Sequence, residues 1–328
     1  MKTFKLNILR VLLLVPGLAS CQDTAKMKFS VQVVDDAGSP IADCKVKAVV
    51  FSHWKAGEGF GRAYHKATPM VTDRNGAANF QIESKTSDLT YYAEPPEGYY
   101  RTYHEEYSFG QSAINGVWQP ENEKFKVILK RKKNPIAMYA RGVGWQNKEE
   151  IPETEKACGF DLVVSDWVAP HGKGKTADLL FNLVLEQRAR NDYNATLTVS
   201  FSNEGDGIVS YKAPADKGSR LVMPYMAPEK GYENKLKKST QAKPGKTTVP
   251  GYSRDQHYFI RVRTVLDNEG NIVSALYGKI QEDIKFWNNR AMRFTYYVNP
   301  TPNDRNVEFD PKKNLIDTGR RGHKVQKP

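Results

Sequence analysis

Residues 176–203 read TADLLFNLVLEQRARNDYNATLTVSFSN, and whether they form a helix or two strands decides the fold. Immediately before them, APHGKGKT at 169–176 fits a permissive phosphate-binding loop: a small residue, four of any kind, then Gly-Lys-Thr. Such a loop holds phosphate where it joins a strand to a helix whose first N–H groups face the anion. Read as a helix, the segment after the loop offers an apolar stripe. Read as a strand, it puts Leu179, Phe181, Leu183 and Leu185 on one face and Asn182, Glu186 and Arg188 on the other. NDYNA then turns the chain into Leu197, Val199 and Phe201, alternating with Thr196, Thr198 and Ser200. One hairpin explains both segments, whereas a helix would have no parallel sheet to cover. The motif also begins with Ala169 instead of Gly. The spacing predicts strands, with Gly172, Lys173, Gly174 and Lys175 in a connecting loop that suits an anionic partner better than a nucleotide.

Period-two patterning extends in both directions. Phe29, Val31 and Val33 alternate with polar residues, DDAGSPI turns the chain, and Cys44, Val46, Ala48 and Val50 alternate again. TDRNG at 72–76 leads into Ala78, Phe80 and Ile82, and DLTYYAE, GYYRTYHEEYSF and KFKVILKR complete a first set of strands. KRKKNP at 130–135 marks a boundary. Beyond it FDLVVSDWV, GIVSYK, HYFIRVRTVLD, NIVSALYGKIQEDIKF and MRFTYYVNP give a second β-rich unit, with LDNEGNIV as a hairpin and QEDIKFWNN as a helical turn or bent strand. The expected fold is all-β: two antiparallel β-sandwiches in series, over 28–133 and 134–310.

The stretch FSVQVVDDAGSPIADCKVKAVV followed by VTDRNGAANFQI resembles the carboxypeptidase regulatory-like domain, a transthyretin-like seven-strand sandwich. The match runs from about residue 29 to 83. In that pattern Gly38, Pro40, Asp73 and Gly76 form turns, so the resemblance implies an accessory module and no catalytic residue. The zinc peptidase that often accompanies this domain needs His-x-x-Glu, and none of the six His residues has Glu three positions on. No family is recognised for the second unit.

At the other end of the chain, Lys2, Lys5 and Arg10 precede an apolar run over 11–19, the layout of a secretory signal peptide over residues 1–20. That run is about half of the roughly 20 residues a spanning helix needs. Leu18, Ala19, Ser20 and Cys21 resemble the lipobox of bacterial lipoproteins. The resemblance implies lipidation of Cys21, a short tether over 21–27 and attachment to a membrane. Gln22 stands where Asp usually signals inner-membrane retention, which implies the outer membrane. Two or three acyl chains at about 0.8 kcal/mol per buried CH₂ make such an anchor nearly permanent.

The formal net charge of +12 belongs mostly to the ends. The leader carries three of these charges and residues 311–328 carry a net five, leaving a body near balance. Nucleic acid is therefore not the expected partner. The basic end, 311–328, reads as a disordered tail. Cys44 and Cys158 fall in different units and read as separate buried thiols, and no Cys/His spacing suggests a metal.

Candidate ligand-binding residues come from two places. FSHWKAGEGFGRAYH at 51–65 leaves a strand and becomes Gly-rich, offering His53, Trp54, Arg62 and Tyr64. The aromatic-dense stretch 91–118 offers Tyr100, Tyr103 and Trp118, whose rings could stack on sugars or build the core. His104 and Glu106 could share a strand face, without a third metal ligand. Asn203, Glu204 and Asp206 lack the EF-hand spacing and read as a turn. No nucleophile and base can be paired, so no catalytic residue, metal or cofactor is expected. The leading expectation is an envelope-anchored binding or scaffolding module for glycan or protein. The alternatives are an accessory or hydrolytic enzyme acting on polysaccharide and a purely structural assembly component.

Overall fold

The computed structural model describes residues 24–55, 62–144, 149–214, 218–249, 251–253, 255–317 and 325–328, with the side chains of 53–55 and 62–64 excepted. Among them every regular element is a strand. The first sandwich contains β1 (Ala25–Asp35), β2 (Lys45–Lys55), β3 (Arg62–Val71), β4 (Ala77–Ser84) and β5 (Asp88–Glu94). It is completed by β6 (Glu105–Ser108), β7 (Ala113–Ile114), β8 (Val117–Trp118) and β9 (Glu123–Leu129). One sheet runs β4-β1-β8-β7, with β9 also parallel to β1; the other runs β3-β2-β5-β6. Alternation places Met27, Phe29, Val31 and Val33 of β1 opposite Val46, Ala48 and Val50 of β2 in one core. The two polar turns work as the sequence suggests: Asp35 Oδ1 accepts from the N–H of Ala37 and Ser39, and Asp73 Oδ1 from those of Asn75 and Ala77.

The second sandwich begins with β10 (Ile136–Val143), β11 (Glu149–Glu150), β12 (Cys158–Asp161), β13 (Asp166–Trp167), β14 (Leu179–Ala189) and β15 (Asp192–Ser200). It continues with β16 (Gly207–Lys212), β17 (Lys235–Ala242), β18 (Gln256–Leu266), β19 (Ile272–Phe286), β20 (Ala291–Val298) and β21 (Phe309–Asn314). One sheet is ordered β13-β12-β14-β15-β17. The other is ordered β16-β18-β19-β20-β10-β21, with β11 on β20. The deciding segment is the hairpin β14–β15, which pairs Phe181 with Val199 and Leu183 with Leu197. Those four side chains are fully buried against Phe294 and Tyr296 of the facing sheet. Each contributes about 1.5–3 kcal/mol of apolar burial, which the polar face of a surface helix could not supply.

The seven-stranded sheet is covered on both faces. Its second face carries Met138, Phe259, Tyr277, Tyr297 and Phe309, capped by Met223, Ala227, Val307 and Val325. Burial on both sides is why β19 lacks clean alternation over 278–284. The stretch QEDIKFWNN is a bent strand: Glu282 has φ 65°, and the pairing with β20 shifts register between Gln281 and Lys285.

Four expectations change. FDLVVSDWV is the tight hairpin β12–β13, turned at 162–165, instead of one strand. Residues 25–27 already belong to β1, with Ala25 and Met27 buried, so they are sheet and not tether. GYYRTYHEEYSF contributes only the short β6, because residues 101–103 pair with 218–220 of the second unit, while Tyr99 and Tyr100 pair with Arg131 and Lys130. The basic end is ordered wherever it is described: β21 runs to Asn314, Val325 is buried, and the carbonyl of Lys327 accepts from Tyr297 Oη at 3.2 Å. Cys44 and Cys158 are free, buried thiols. Burial, reinforced by Glu94, pushes the Cys44 thiol up to about 11. Cys21 and the leader lie outside the described residues.

Candidate functional site

The two sandwiches are stitched together, and the stitch builds a cleft. Residues 218–220 of the second unit enter the first between Ile128 and residues 101–103, bridging Ile128 to Gly218 and Thr102 to Ser219. Tyr103 N–H donates to Gly218 O, Ser219 N–H to Ile128 O, and Arg220 N–H to Arg101 O, at 2.7 to 2.9 Å. Gly218 has φ 153°, and a Cβ there would lie 2.5 Å from Ile128 O, so this close approach requires glycine. The boundary KRKKNP is locked into the same joint. Lys130 Nζ donates to the carbonyls of Val222 and Met223, and the N–H groups of Lys133 and Asn134 donate to the carboxylate of Glu308.

The pairing that joins Arg220 to Arg101 brings both guanidinium-bearing residues to one cavity of about 540 Å³. Its walls also include Tyr99, Tyr100, Lys132, Phe309, Asp310 and Lys312. Residues 326 and 328, from the docked basic end, close one side. The volume lies in the range of small-molecule sites, and a junction between domains is a usual place for one. Its electrostatics are one-sided. Asp310 is paired with Lys313 at 3.5 Å, while Arg101, Lys132, Arg220 and Lys312 have no ion pair among the described residues. Arg220 Nε is shut off from water and meets no acceptor among the described residues.

Of the residues expected to bind, Tyr100 lies on this cleft, buried, with its hydroxyl donated to Glu308 Oε1 at 2.7 Å. Burial first, then that carboxylate, holds its phenol well above the usual range. Tyr103 lines a separate hollow with His104, Glu105, His257, Glu282 and Lys327. Trp118 is buried and donates its indole N–H to Ser84 O at 3.3 Å, so it is core and presents no face to a ligand. His53 pairs in register with Tyr64 across β2–β3, and Trp54 and Arg62 sit in the same ladder, which extends strands into the stretch expected to be a loop. Their side chains lie outside those described. His104 stacks on Tyr92 at 4.1 Å, and no group of metal-ligating side chains occurs among the described residues. Arg101, Lys132, Arg220 and Lys312 are missed by sequence reading, because the joint that gathers them spans more than two hundred residues. The one local trace is KRKK itself.

The phosphate-loop motif is occupied by its own protein. Asp161 Oδ2 accepts from the N–H of Lys175 and Thr176, and Asp166 Oδ2 from that of Lys173. The N–H of Gly174 donates to Trp167 O at 2.8 Å. The amides that would hold phosphate are therefore satisfied. The buried carboxylates are likewise bound within the fold. Arg263 forks to Asp178 and reaches Asp161 at 2.8 to 2.9 Å, while Asp206 accepts from the N–H groups of Arg263 and Thr264. Burial raises the Asp178 carboxyl above its ordinary range against the pull of Arg263. For Asp161 burial pushes the same way, but backbone N–H donors and Arg263 bring it below. Asp283 is held by Lys238, Tyr258 Oη and Ser253 N–H.

No family model matches the chain. No curated protein matches it either. Among solved structures, the major pilin BcpA of Bacillus cereus is 11% identical with a TM-score of 0.25, over 88% of this chain and 97% of that one. The major pilin SpaA of Corynebacterium diphtheriae is 10% identical with a TM-score of 0.23, over 77% and 69%. The 3-chlorocatechol 1,2-dioxygenase of Rhodococcus opacus is 16% identical with a TM-score of 0.23; the match covers 34% of this chain and 62% of the dioxygenase. Overlaps this slight carry no argument about function, and the all-β architecture rests on the strands described above.

Proposed function

We propose that the protein is a lipid-anchored envelope module that binds a ligand in the cleft between its two sandwiches, without turning it over. The cleft is the observation that carries this reading: a cavity of about 540 Å³ at the joint, lined by four cations that have no ion pair among the described residues. Attachment to the outer membrane rests on the Leu18-to-Cys21 sequence and on Gln22. The first sandwich, with its Asp35 and Asp73 turns, is read as a carboxypeptidase regulatory-like domain serving as a scaffold. The buried aspartates cited above are taken up by structural bonds, which favours binding over hydrolysis.

Two measurements test this. Labelled palmitate should enter the protein, and Cys21→Ala should release it in soluble form. A thermal-shift screen of that soluble chain against glycans should then reveal a ligand, because occupancy at 100 times the dissociation constant stabilises by about 2.7 kcal/mol, or a few degrees. Turnover of a glycan that disappears on substituting Asp310, the carboxylate on the cleft wall, would support the enzymatic alternative instead.

A further inference from the structure

Resting on the reading of the cleft as a binding site, we infer that its ligand is an acidic saccharide, a sugar chain bearing carboxylate groups. Charge comes first. Arg101, Lys132, Arg220 and Lys312 face the same space, and the acid on its wall, Asp310, already has Lys313. An occupant must therefore bring negative charge, and carboxylates are the planar partners that guanidinium groups bond in pairs. Lys132 and Lys312 are exposed at the rim and can reach a second acidic unit.

The apolar part of the wall comes next. Pro135 and Pro311 keep part of their surface open and offer an apolar edge on which a CH-rich sugar face can rest, a surface that a bare inorganic anion would not use, while Tyr99, Phe309 and Pro328 of the same wall are buried. The backbone argues against an extended peptide, which is recognised through free main-chain groups. The N–H groups of Tyr99, Tyr100, Lys132 and Arg220 already donate to Pro96, Lys130, Gly98 and Arg101 carbonyls, and that of Lys312 to Asp310 Oδ1. Three wall residues are prolines and have no N–H to offer. Recognition is left to side chains, and those are cations beside the apolar edge of Pro135 and Pro311.

The test uses the soluble Cys21→Ala chain in calorimetric titrations with oligogalacturonate, a neutral galactan oligosaccharide of equal length, inorganic sulfate and phosphatidylglycerol vesicles. Oligogalacturonate should saturate one site, and its affinity should fall at least about tenfold in Lys132→Ala/Lys312→Ala, whose side chains are exposed and whose melting temperature should not move. Binding should also weaken as salt rises from about 0.05 to 0.5 M. Equal binding of the neutral oligosaccharide would overturn the acidic assignment and leave the binding module standing. Binding of sulfate or vesicles without oligogalacturonate would assign the cleft to a free anion or a lipid headgroup. No saturable binding of any of the four, together with no hit in the glycan screen, would remove both readings.

Discussion

Tyr100 Oη donates to Glu308 Oε1 at 2.7 Å, joining the end of one sandwich to the entry of the last strand of the other across 208 residues. Both groups are buried, and the same carboxylate also caps the N–H groups of Lys133 and Asn134. The joint is thus a shared polar network at the back of the cleft. Beside it, the backbone hydrogen bond from Arg220 N–H to Arg101 O brings these two residues to one wall, the arrangement a preorganised site needs.

Tyr100→Phe removes one hydrogen bond to a charged acceptor and should cost about 1.5–3 kcal/mol in urea unfolding. Because the joint couples the sandwiches, the wild-type chain should unfold in one transition. Resolution into two transitions already in the wild type would contradict that coupling.

Arg263→Met should be among the most damaging single changes. It strands Asp161 and Asp178, whose side chains are almost wholly buried, and breaking such a cluster from one side costs about 3–5 kcal/mol. A midpoint shift under about 1 kcal/mol would mean that water or a neighbour replaces the guanidinium.

The strands were legible because one face of most of them is buried, and burial writes period two into the chain. Phe29 to Val33 and Leu179 to Leu185 carried that pattern plainly. Where both faces are covered, as in β19, the pattern fades, and QEDIKFWNN reads equally as a helical turn or a bent strand; the positive φ of Glu282 makes it the bend. The candidate site was less legible. Tyr100 stood out as an aromatic, but Arg220 meets it only through the tertiary pairing at Gly218 and Lys312 through the strand β21 beside β10, and nothing local marks them. Trp118 misled because aromatic density alone does not separate core from surface.

The phosphate-loop motif gives a third test. Gly174→Ala should destabilise by about 1–3 kcal/mol, because a Cβ would lie 2.8 to 2.9 Å from Asp166 O, Trp167 O and Asp161 Cβ. Mg-ATP should leave the melting temperature of the wild type unchanged, since the loop amides are already bonded to Asp161 and Asp166. A saturable rise with Mg-ATP would show those bonds exchanging for phosphate.

Lys279 supplies the last. Its side chain is fully buried beside Tyr297, 4.8 Å from the ring centroid, and its amine has no hydrogen-bond partner among the described residues. Burial above all, with Lys130 adding, lowers its pKa from 10.5 to about 7, while Glu308 opposes. Between about pH 7 and 10.5 the unfolded chain holds a proton that the folded one lacks, so this residue's contribution to stability rises with pH across that window. Below it the penalty is complete, and above it the penalty is gone. Lys279→Met should therefore stabilise the protein by about 1–4 kcal/mol near neutral pH, and the gain should shrink toward pH 10. The difference between variant and wild type, followed by urea unfolding at several pH values, isolates this group from every other that titrates. A gain that does not change with pH would indicate better packing alone, and a loss would mean that the amine has a partner worth keeping.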